Sequence, residues 1–230
     1  MVKNLLVLRN KSSLVRTNEF FGENAVDFFS CPISYSESIK VDLANTQADI
    51  FLITSQNAYQ AVLDNIEFFK NKKIYCLNKE IAHQFQNLNT IKQSWNNTKE
   101  LASYIVENEN SNQKIVHLCA TNANKLFYKP LQSSGFDIDS INVYSTNFIK
   151  ELDENIVNAL KINQIKYIMI FSAASMTAML DIFKSYSFDI SNYKIICFSK
   201  KIAANISDYY AENSTLEDML DLYLKLESNK

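Results

Sequence analysis

Glycine is nearly missing from this chain. Gly22 and Gly135 are the only two among 230 residues, where average usage is about 7%. No Gly-x-Gly-x-x-Gly stretch follows any apolar run, so the usual dinucleotide fingerprint is absent and an oxidoreductase built on it is disfavoured. With asparagine, lysine and isoleucine abundant, the missing glycines fit the bias of an AT-rich genome. Arginine is equally scarce: Arg9 and Arg16 are the only two, and lysine carries the rest of the positive charge. Two histidines far apart and four isolated cysteines, with no Cys-x-x-Cys pair, argue against a zinc centre. A formal charge of −2 argues against a general nucleic-acid binder. No apolar run approaches the ~20 residues of a membrane-spanning helix. The apolar start, Leu5 to Leu8, is too short for a secretory signal and charges follow at once. The expectation is a soluble, cytoplasmic protein with no membrane partner.

What is present is an ordinary globular balance, 47% hydrophobic and 21% charged, enough for one large core or two modest ones. Short, continuous apolar runs recur along the chain, and each reads as a strand buried on both faces. Strands are expected at 5–8, 26–29, 50–53, 74–77, 115–119, 138–143, 167–171 and 194–198, with a short extended piece at 91–93. Cys76, Cys119 and Cys197 end three of these runs, where a small buried hydrophobe belongs. Between them the pattern predicts helices at 13–21, from the end of the 50–53 run through Val62, and at 79–86, 98–106, 122–133, 151–161, 174–184, 200–209 and 215–226. Ser12 or Ser13 would cap the first helix and Gly22 would close it. Strands alternating with helices imply parallel sheets covered by helices.

The chain also repeats itself. Ile53-Thr54-Ser55-Gln56-Asn57-Ala58, running on to Leu63-Asp64, echoes Ile170-Phe171-Ser172-Ala173-Ala174-Ser175, running on to Leu180-Asp181. Lys73-Ile74-Tyr75-Cys76 with Lys79 and Ile81-Ala82 echoes Lys194-Ile195-Ile196-Cys197 with Lys200 and Ile202-Ala203. Leu5 to Leu8 followed by Gly22 matches Ile115 to Cys119 followed by Gly135, which puts the two glycines in matching places. Thr98 and Glu100 stand like Thr215 and Glu217. The reading is two copies of one unit. Crossings between domains are expected at Pro32 to Ile39 and Ser145 to Lys150, both polar breaks after a strand, although a simple division near residue 112 also fits the repeat.

Several of these pieces together carry a resemblance. Leu6-Val7-Leu8-Arg9, Phe51-Leu52-Ile53-Thr54-Ser55-Gln56-Asn57-Ala58, Asn97-Thr98-Lys99-Glu100-Leu101, Ile141-Asn142-Val143-Tyr144-Ser145-Thr146, Ile170-Phe171-Ser172-Ala173-Ala174-Ser175 and Ser214-Thr215-Leu216-Glu217-Asp218-Met219 follow one another in a family's order. The chain resembles the uroporphyrinogen-III synthase (HemD-like) family, as a divergent and glycine-poor member. The resemblance implies an α/β fold of two similar parallel-sheet α/β/α domains, flavodoxin-like, joined by a two-strand linker. One domain would take 1–34 and 149–230, the other 38–145, with linkers near 35–37 and 146–148 and the active site in the cleft between them. The implied reaction closes hydroxymethylbilane to uroporphyrinogen III, with loss of water and inversion of ring D through a spiro intermediate. The resemblance further implies no cofactor or metal, a monomer, and hydroxymethylbilane synthase as the enzyme handing over the substrate.

Such a reaction asks first for positioning of a polycarboxylate and second for help to a departing hydroxyl. Tyr144 matches the family's crossover tyrosine and is the residue expected to assist the hydroxyl; the plainer reading is an aromatic packed at a strand end. Thr54, Ser55 and Asn57, with Ser172 and Ser175 as counterparts, lie where a strand gives way to a helix. Exposed N–H groups and hydroxyls there suit carboxylates, and plain N-capping is the competing reading. Thr121 and Asn122 form a weaker third group. Arg9 offers a donor fork at a strand end, and Arg16 lies one to two turns into the first helix. Lys125 and Lys200 are lesser candidates. The family often has Gly-x-x-Thr-Ala after two strands; here the stretches are Asn78-Lys79-Glu80-Ile81-Ala82 and Ser199-Lys200-Lys201-Ile202-Ala203. Asn78 and Ser199 replace the glycines as candidate contacts, while Ile81 and Ile202 lack a hydroxyl. The alternative function is a non-catalytic clamshell protein that binds an anionic ligand or regulates the tetrapyrrole pathway.

Overall fold

A computed structural model describes residues 3–91, 93–95, 97–203 and 206–228. The chain divides into two compact units, one running to Tyr35 and resuming at Asn147, the other Ser36–Thr146. Unit one begins with strand β1 (Leu5–Asn10), helix α1 (Lys11–Glu23) and β2 (Phe28–Ser38), whose last residues fall in unit two. Unit two continues with β3 (Ile50–Ile53), α2 (Tyr59–Asp64), α3 (Ile66–Phe69), β4 (Lys73–Cys76), α4 (Lys79–His83) and β5 (Thr90–Ile91). Then come α5 (Thr98–Asn108), β6 (Lys114–Ala120), α6 (Tyr128–Ser133) and β7 (Asp137–Phe148), which ends in unit one. The return adds α7 (Glu154–Lys161), β8 (Tyr167–Ile170), α8 (Ala173–Ser185), β9 (Lys194–Cys197), α9 (Lys200–Ala203), β10 (Tyr209–Tyr210) and α10 (Leu216–Ser228).

Each unit is a parallel sheet between helix layers. In unit one the strand order is β10-β9-β8-β1-β2, and in unit two it is β7-β6-β3-β4-β5. Counted by their roles, both orders read 3-2-1-4-5. The apolar runs explain the layering. Leu5, Leu6, Val7 and Leu8 are all fully buried. Because successive side chains of a strand point to opposite faces, Leu6 and Leu8 join the core under α7 and α8, and Leu5 and Val7 the core under α1 and α10. β3 repeats this: Phe51 and Ile53 pack with α2 to α4, Ile50 and Leu52 with α5 and α6.

The structure corrects several expected boundaries. Asn10, not Ser12 or Ser13, caps α1, its side chain accepting from the Ser12 N–H at 3.0 Å. The second strand runs on through Pro32, and the register shifts opposite it between Arg9 and Asn10; a residue without an N–H interrupts the ladder but leaves the strand intact. The polar stretches 32–39 and 145–150 are therefore largely strand, not breaks. Helix 122–133 is cut to α6 because the Asn124 side chain accepts from the Leu126 N–H at 2.9 Å and turns the chain there. The helix expected over 200–209 is only α9 and gives way to β10, with 204 and 205 outside the described residues. α4 stops at His83, and α7 starts at Glu154 because Asp153 is extended (ψ 144°).

Glycine is also used differently from the expected pattern. α1 ends in a Schellman arrangement, in which Val26 N–H donates to Phe21 O at 3.0 Å and Ala25 N–H to Gly22 O at 3.1 Å. The left-handed residue is Ala25 (φ 54°), and Gly22 sits inside the helix. The same pair of bonds closes α6 at Gly135 (φ 93°), α7 at Asn163 (φ 53°) and α8 at Ser187 (φ 58°). The true counterpart of Gly135 is Ala25, so the two glycines do not match. A side chain in the left-handed region costs about 1 kcal/mol or more, and a glycine within a helix costs about 1 kcal/mol against alanine. A Cβ at Gly22 would meet nothing within 4 Å. Exchanging the two, Gly22→Ala with Ala25→Gly, is expected to raise unfolding stability by roughly 1–2 kcal/mol in a urea titration; an unchanged or lowered midpoint would refute this account of the cap.

Candidate functional site

In a 3-2-1-4-5 sheet the connections leave in opposite directions at one point, and a crevice opens there beyond the carboxyl ends of the strands. In unit one that point lies between β8 and β1, in unit two between β3 and β6. The side chains at these two places make up the candidate site, each unit taken by itself.

In unit one, β1 ends at Arg9 and Asn10, and β8 hands over at Phe171 and Ser172. Ser172 caps α8: its Oγ accepts from the Ser175 N–H at 3.0 Å and lies 2.7 Å from Ser175 Oγ. Ser175 is buried. The Arg9 guanidinium sits 4.4 Å from the centroid of the Phe171 ring and donates to Thr17 Oγ1, while Thr17 in turn donates to Ser13 O at 3.0 Å. Half-burial, and then repulsion from Arg16, lower the Arg9 pKa. Arg9 is thus a fixed cation rather than a mobile one, and Arg16 is exposed on α1. At the next strand end the Phe198 ring lies 5.5 Å from Phe171. Ser199 opens α9, its carbonyl accepting from Ile202 and Ala203 N–H, and Lys200 is exposed.

In unit two, Ser55 follows β3 and accepts from the Asn57 N–H at 3.2 Å. Tyr144 lies on β7, its carbonyl accepting from Thr121 N–H at 3.0 Å just past a bulge between Cys119 and Ala120. Its ring is 8% exposed and packs with Ile53, Ala58 and Ala120. Burial raises its pKa, with the Ser55 side chain pulling the other way, so the phenol keeps its proton at neutral pH. Asn78 caps α4 by accepting from Ile81 N–H at 2.9 Å with φ −141°, a conformation that needs no glycine. Ile81 is buried in the core. Asn57 is half-buried; Thr121, Asn122 and Lys125 are exposed. Thr54, Ser55, Tyr144 and Thr121 therefore meet at one edge, whereas Arg16 and Asn122 face outward.

Sequence reasoning missed His117. It lies in the middle of the apolar β6 run and is 1% exposed. Its Nε2 is 2.9 Å from Thr54 Oγ1 and its Nδ1 is 2.8 Å from the Tyr128 hydroxyl. Burial, and then Lys125, push its pKa down to about 4. The available signal was polar: a histidine within an apolar strand needs partners on both nitrogens. Among the described residues no group of three or more His, Cys, Asp or Glu side chains is placed to hold a metal ion, and no helix is long and apolar enough to cross a membrane.

Fold and strand ends together define a duplicated, doubly wound α/β protein that presents neutral donors and one fixed arginine at its switch points. Residues 27–221 match the sequence model of uroporphyrinogen-III synthase HemD, and the chain belongs to that family. It is 23% identical over 190 residues to the porphyrin biosynthesis protein HemD of Ruminiclostridium josui, a match covering 76% of this chain and 37% of that protein. The matched region thus spans little more than a third of that relative's length. Among solved structures it is similar to uroporphyrinogen-III synthetase of Helicobacter pylori, with a TM-score of 0.65 and 16% identity over 97% of this chain and 99% of that one. A mutant uroporphyrinogen III synthase of Thermus thermophilus gives a TM-score of 0.58 at 8% identity, covering 99% of this chain and 100% of that one.

The depressed His117 pKa has a consequence for stability. Between its unfolded value of about 6.5 and about 4 in the fold, the unfolded chain binds a proton that the folded chain refuses. The stabilisation is complete above pH 6.5 and is lost as pH falls toward 4, by roughly 3 kcal/mol in all. Urea unfolding should therefore show a stability slope between pH 7 and 5 that persists in a variant of the exposed His83, His83→Gln, and flattens in His117→Asn. A slope unaffected by His117→Asn would contradict the assignment.

Proposed function

We propose that the protein is a uroporphyrinogen-III synthase, converting hydroxymethylbilane to uroporphyrinogen III with inversion of ring D and loss of water, in tetrapyrrole biosynthesis. The observation that carries this reading is the recurrence in both units, at the end of β3 and of β8, of a capping serine at the switch point of a family member's fold. A linear tetrapyrrole with eight carboxylates needs many donors and few mobile charges. At a helix start, N–H groups beyond the capped one remain available to anions, and the hydroxyls of Thr54, Ser55, Thr121, Ser172 and Ser175 extend that set. Arg9 adds a fork of donors held in place by Thr17 and Phe171. Asn57, Asn78, Ser199 and Lys200 are further contacts on the same edges, and Arg16 and Asn122 belong to the outer reach.

Tyr144 is the proposed catalytic residue. A phenol that keeps its proton donates a hydrogen bond to the departing hydroxyl without placing an ionised group near the substrate. Once the hydroxyl has left as water, attack by the substituted carbon of ring D gives the spiro intermediate, which fragments and recloses. The chain's own part is to hold the carboxylates so that the inverted closure outpaces the simple one. No cofactor enters this scheme; hydroxymethylbilane synthase is the proposed donor of the substrate, and the protein acts as a monomer.

A second reading, a carboxylate-binding protein without turnover, draws on Ile81: it is buried in the core and brings no hydroxyl to the strand end. Turnover separates the two. Purified protein incubated with fresh hydroxymethylbilane should give mainly isomer III after oxidation and separation, and Tyr144→Phe should lower the rate by about tenfold or more with the fold intact. Isomer I alone from folded wild-type protein would exclude the enzyme. An undiminished Tyr144→Phe rate would remove the tyrosine from its role.

A further inference from the structure

A file of polar side chains lies beneath the end of β3 in unit two. The Tyr128 hydroxyl is 2.8 Å from His117 Nδ1, and His117 Nε2 is 2.9 Å from Thr54 Oγ1. The imidazole is clamped edge-on by Phe127 and Tyr128, with centroids 5.3 and 5.8 Å away. Both nitrogens are committed and the ring is 1% exposed, so only the tautomer remains to be set.

Donor counting sets it. Tyr128 is buried, and its hydroxyl has His117 Nδ1 as its sole hydrogen-bond partner among the described residues. Were Nδ1 the donor, the buried Tyr128 O–H would be left without an acceptor, so Tyr128 directs its O–H to Nδ1. A neutral imidazole that accepts at Nδ1 carries its hydrogen on Nε2 and gives it to Thr54 Oγ1. The threonine hydrogen is then left over, and His117 is the sole side-chain hydrogen-bond partner of Thr54 among the described residues. Aligned donors polarise one another along such a file. The file orients a dipole and moves no proton, because a ring with a pKa of about 4 stays neutral at working pH.

We propose that the file Tyr128–His117 fixes the Thr54 hydroxyl as an outward-pointing hydrogen-bond donor to a substrate carboxylate at the carboxyl end of β3. Thr54 is the contact; His117 and Tyr128 are positioning residues. The carboxylate rests on the tetrapyrrole reading above, whereas the direction of the file does not.

The chain has only two histidines, so imidazole 15N spectra of labelled protein hold two spin systems, and His83→Gln assigns them. The expected result is the pure Nε2–H tautomer for His117, unchanged from pH 5.5 to 8. The Nδ1–H tautomer, or a mixture, would overturn the proposal. In Tyr128→Phe, shown to be folded by circular dichroism, the ring loses its donor at Nδ1. A tautomer mixture should appear, and affinity for uroporphyrin III should fall about tenfold, as it should in Thr54→Val. An unchanged affinity alongside a changed tautomer would overturn the link to Thr54. Wild-type protein that shows the Nε2–H tautomer yet neither binds uroporphyrin III nor turns over the bilane would overturn the carboxylate contact together with the tetrapyrrole reading, whereas turnover with the wrong tautomer overturns this inference alone.

Discussion

The pairing of β1 with β8 is the interaction on which unit one depends. Leu5 to Leu8 meet Tyr167 to Ile170 in parallel register, all eight buried, and both helix layers of the unit rest on these side chains. The partners stand at opposite sides of unit two in the sequence, so the chain closes a long loop before this sheet exists. The entropy of closure rises only slowly with loop length, and a fully apolar central strand offsets it. β3 and β6 play the same part in unit two with Ile50 to Ile53 against Ile115 to Leu118. A parallel register has a further consequence: it brings the carboxyl ends of the two central strands to one edge of each sheet. Arg9 and Ser172 are neighbours for that reason, as are Thr54 and the residues after Ala120.

Chemistry follows from what those edges hold. Helix starts leave backbone N–H groups without intrahelical partners, and serines at the caps consume only some of them. The remaining donors are neutral, fixed by the backbone, and close to apolar walls such as Phe171 and Phe198 in unit one and Ala58 in unit two. Such an environment strengthens hydrogen bonds to an anion without the mobility of lysine side chains. The two arginines fit the same logic: Arg9 is stacked and hydrogen-bonded into place, and Arg16 lowers its pKa from nearby. His117 extends the logic beneath the surface, since a buried neutral ring fixes a hydroxyl that would otherwise rotate.

The fold class was legible because Leu5 to Leu8, Ile50 to Ile53 and Tyr167 to Ile170 are unbroken apolar runs, which only strands covered on both faces accept. The Ser55 and Ser172 placements were legible from the repeat around them. Other features depend on tertiary contacts that no local pattern displays. α6 was overestimated because residues 122–127 carry helix-compatible side chains, and an asparagine turn defeats them. β2 was underestimated because Pro32 and its polar neighbours look like a break, although Ile33 is fully buried and its carbonyl accepts from the Ile149 N–H at 3.1 Å. Gly22 looked like a helix terminator, yet the left-handed position went to Ala25, where packing of Val26 on Phe21 in one core outweighs the backbone cost. His117 was invisible because its partners, Thr54 and Tyr128, come from different elements.

The account's central claim is that strand-end donors at the switch points of both units bind the carboxylates of a tetrapyrrole. The most direct measurement follows backbone amide resonances during a titration with uroporphyrin III. Saturable shifts concentrated at 54–58 and 121–123 in unit two, and at 9–12 and 172–176 in unit one, are the predicted result. Shifts confined to the amino ends of the strands, or to the lysine-bearing outer helix faces, would contradict it.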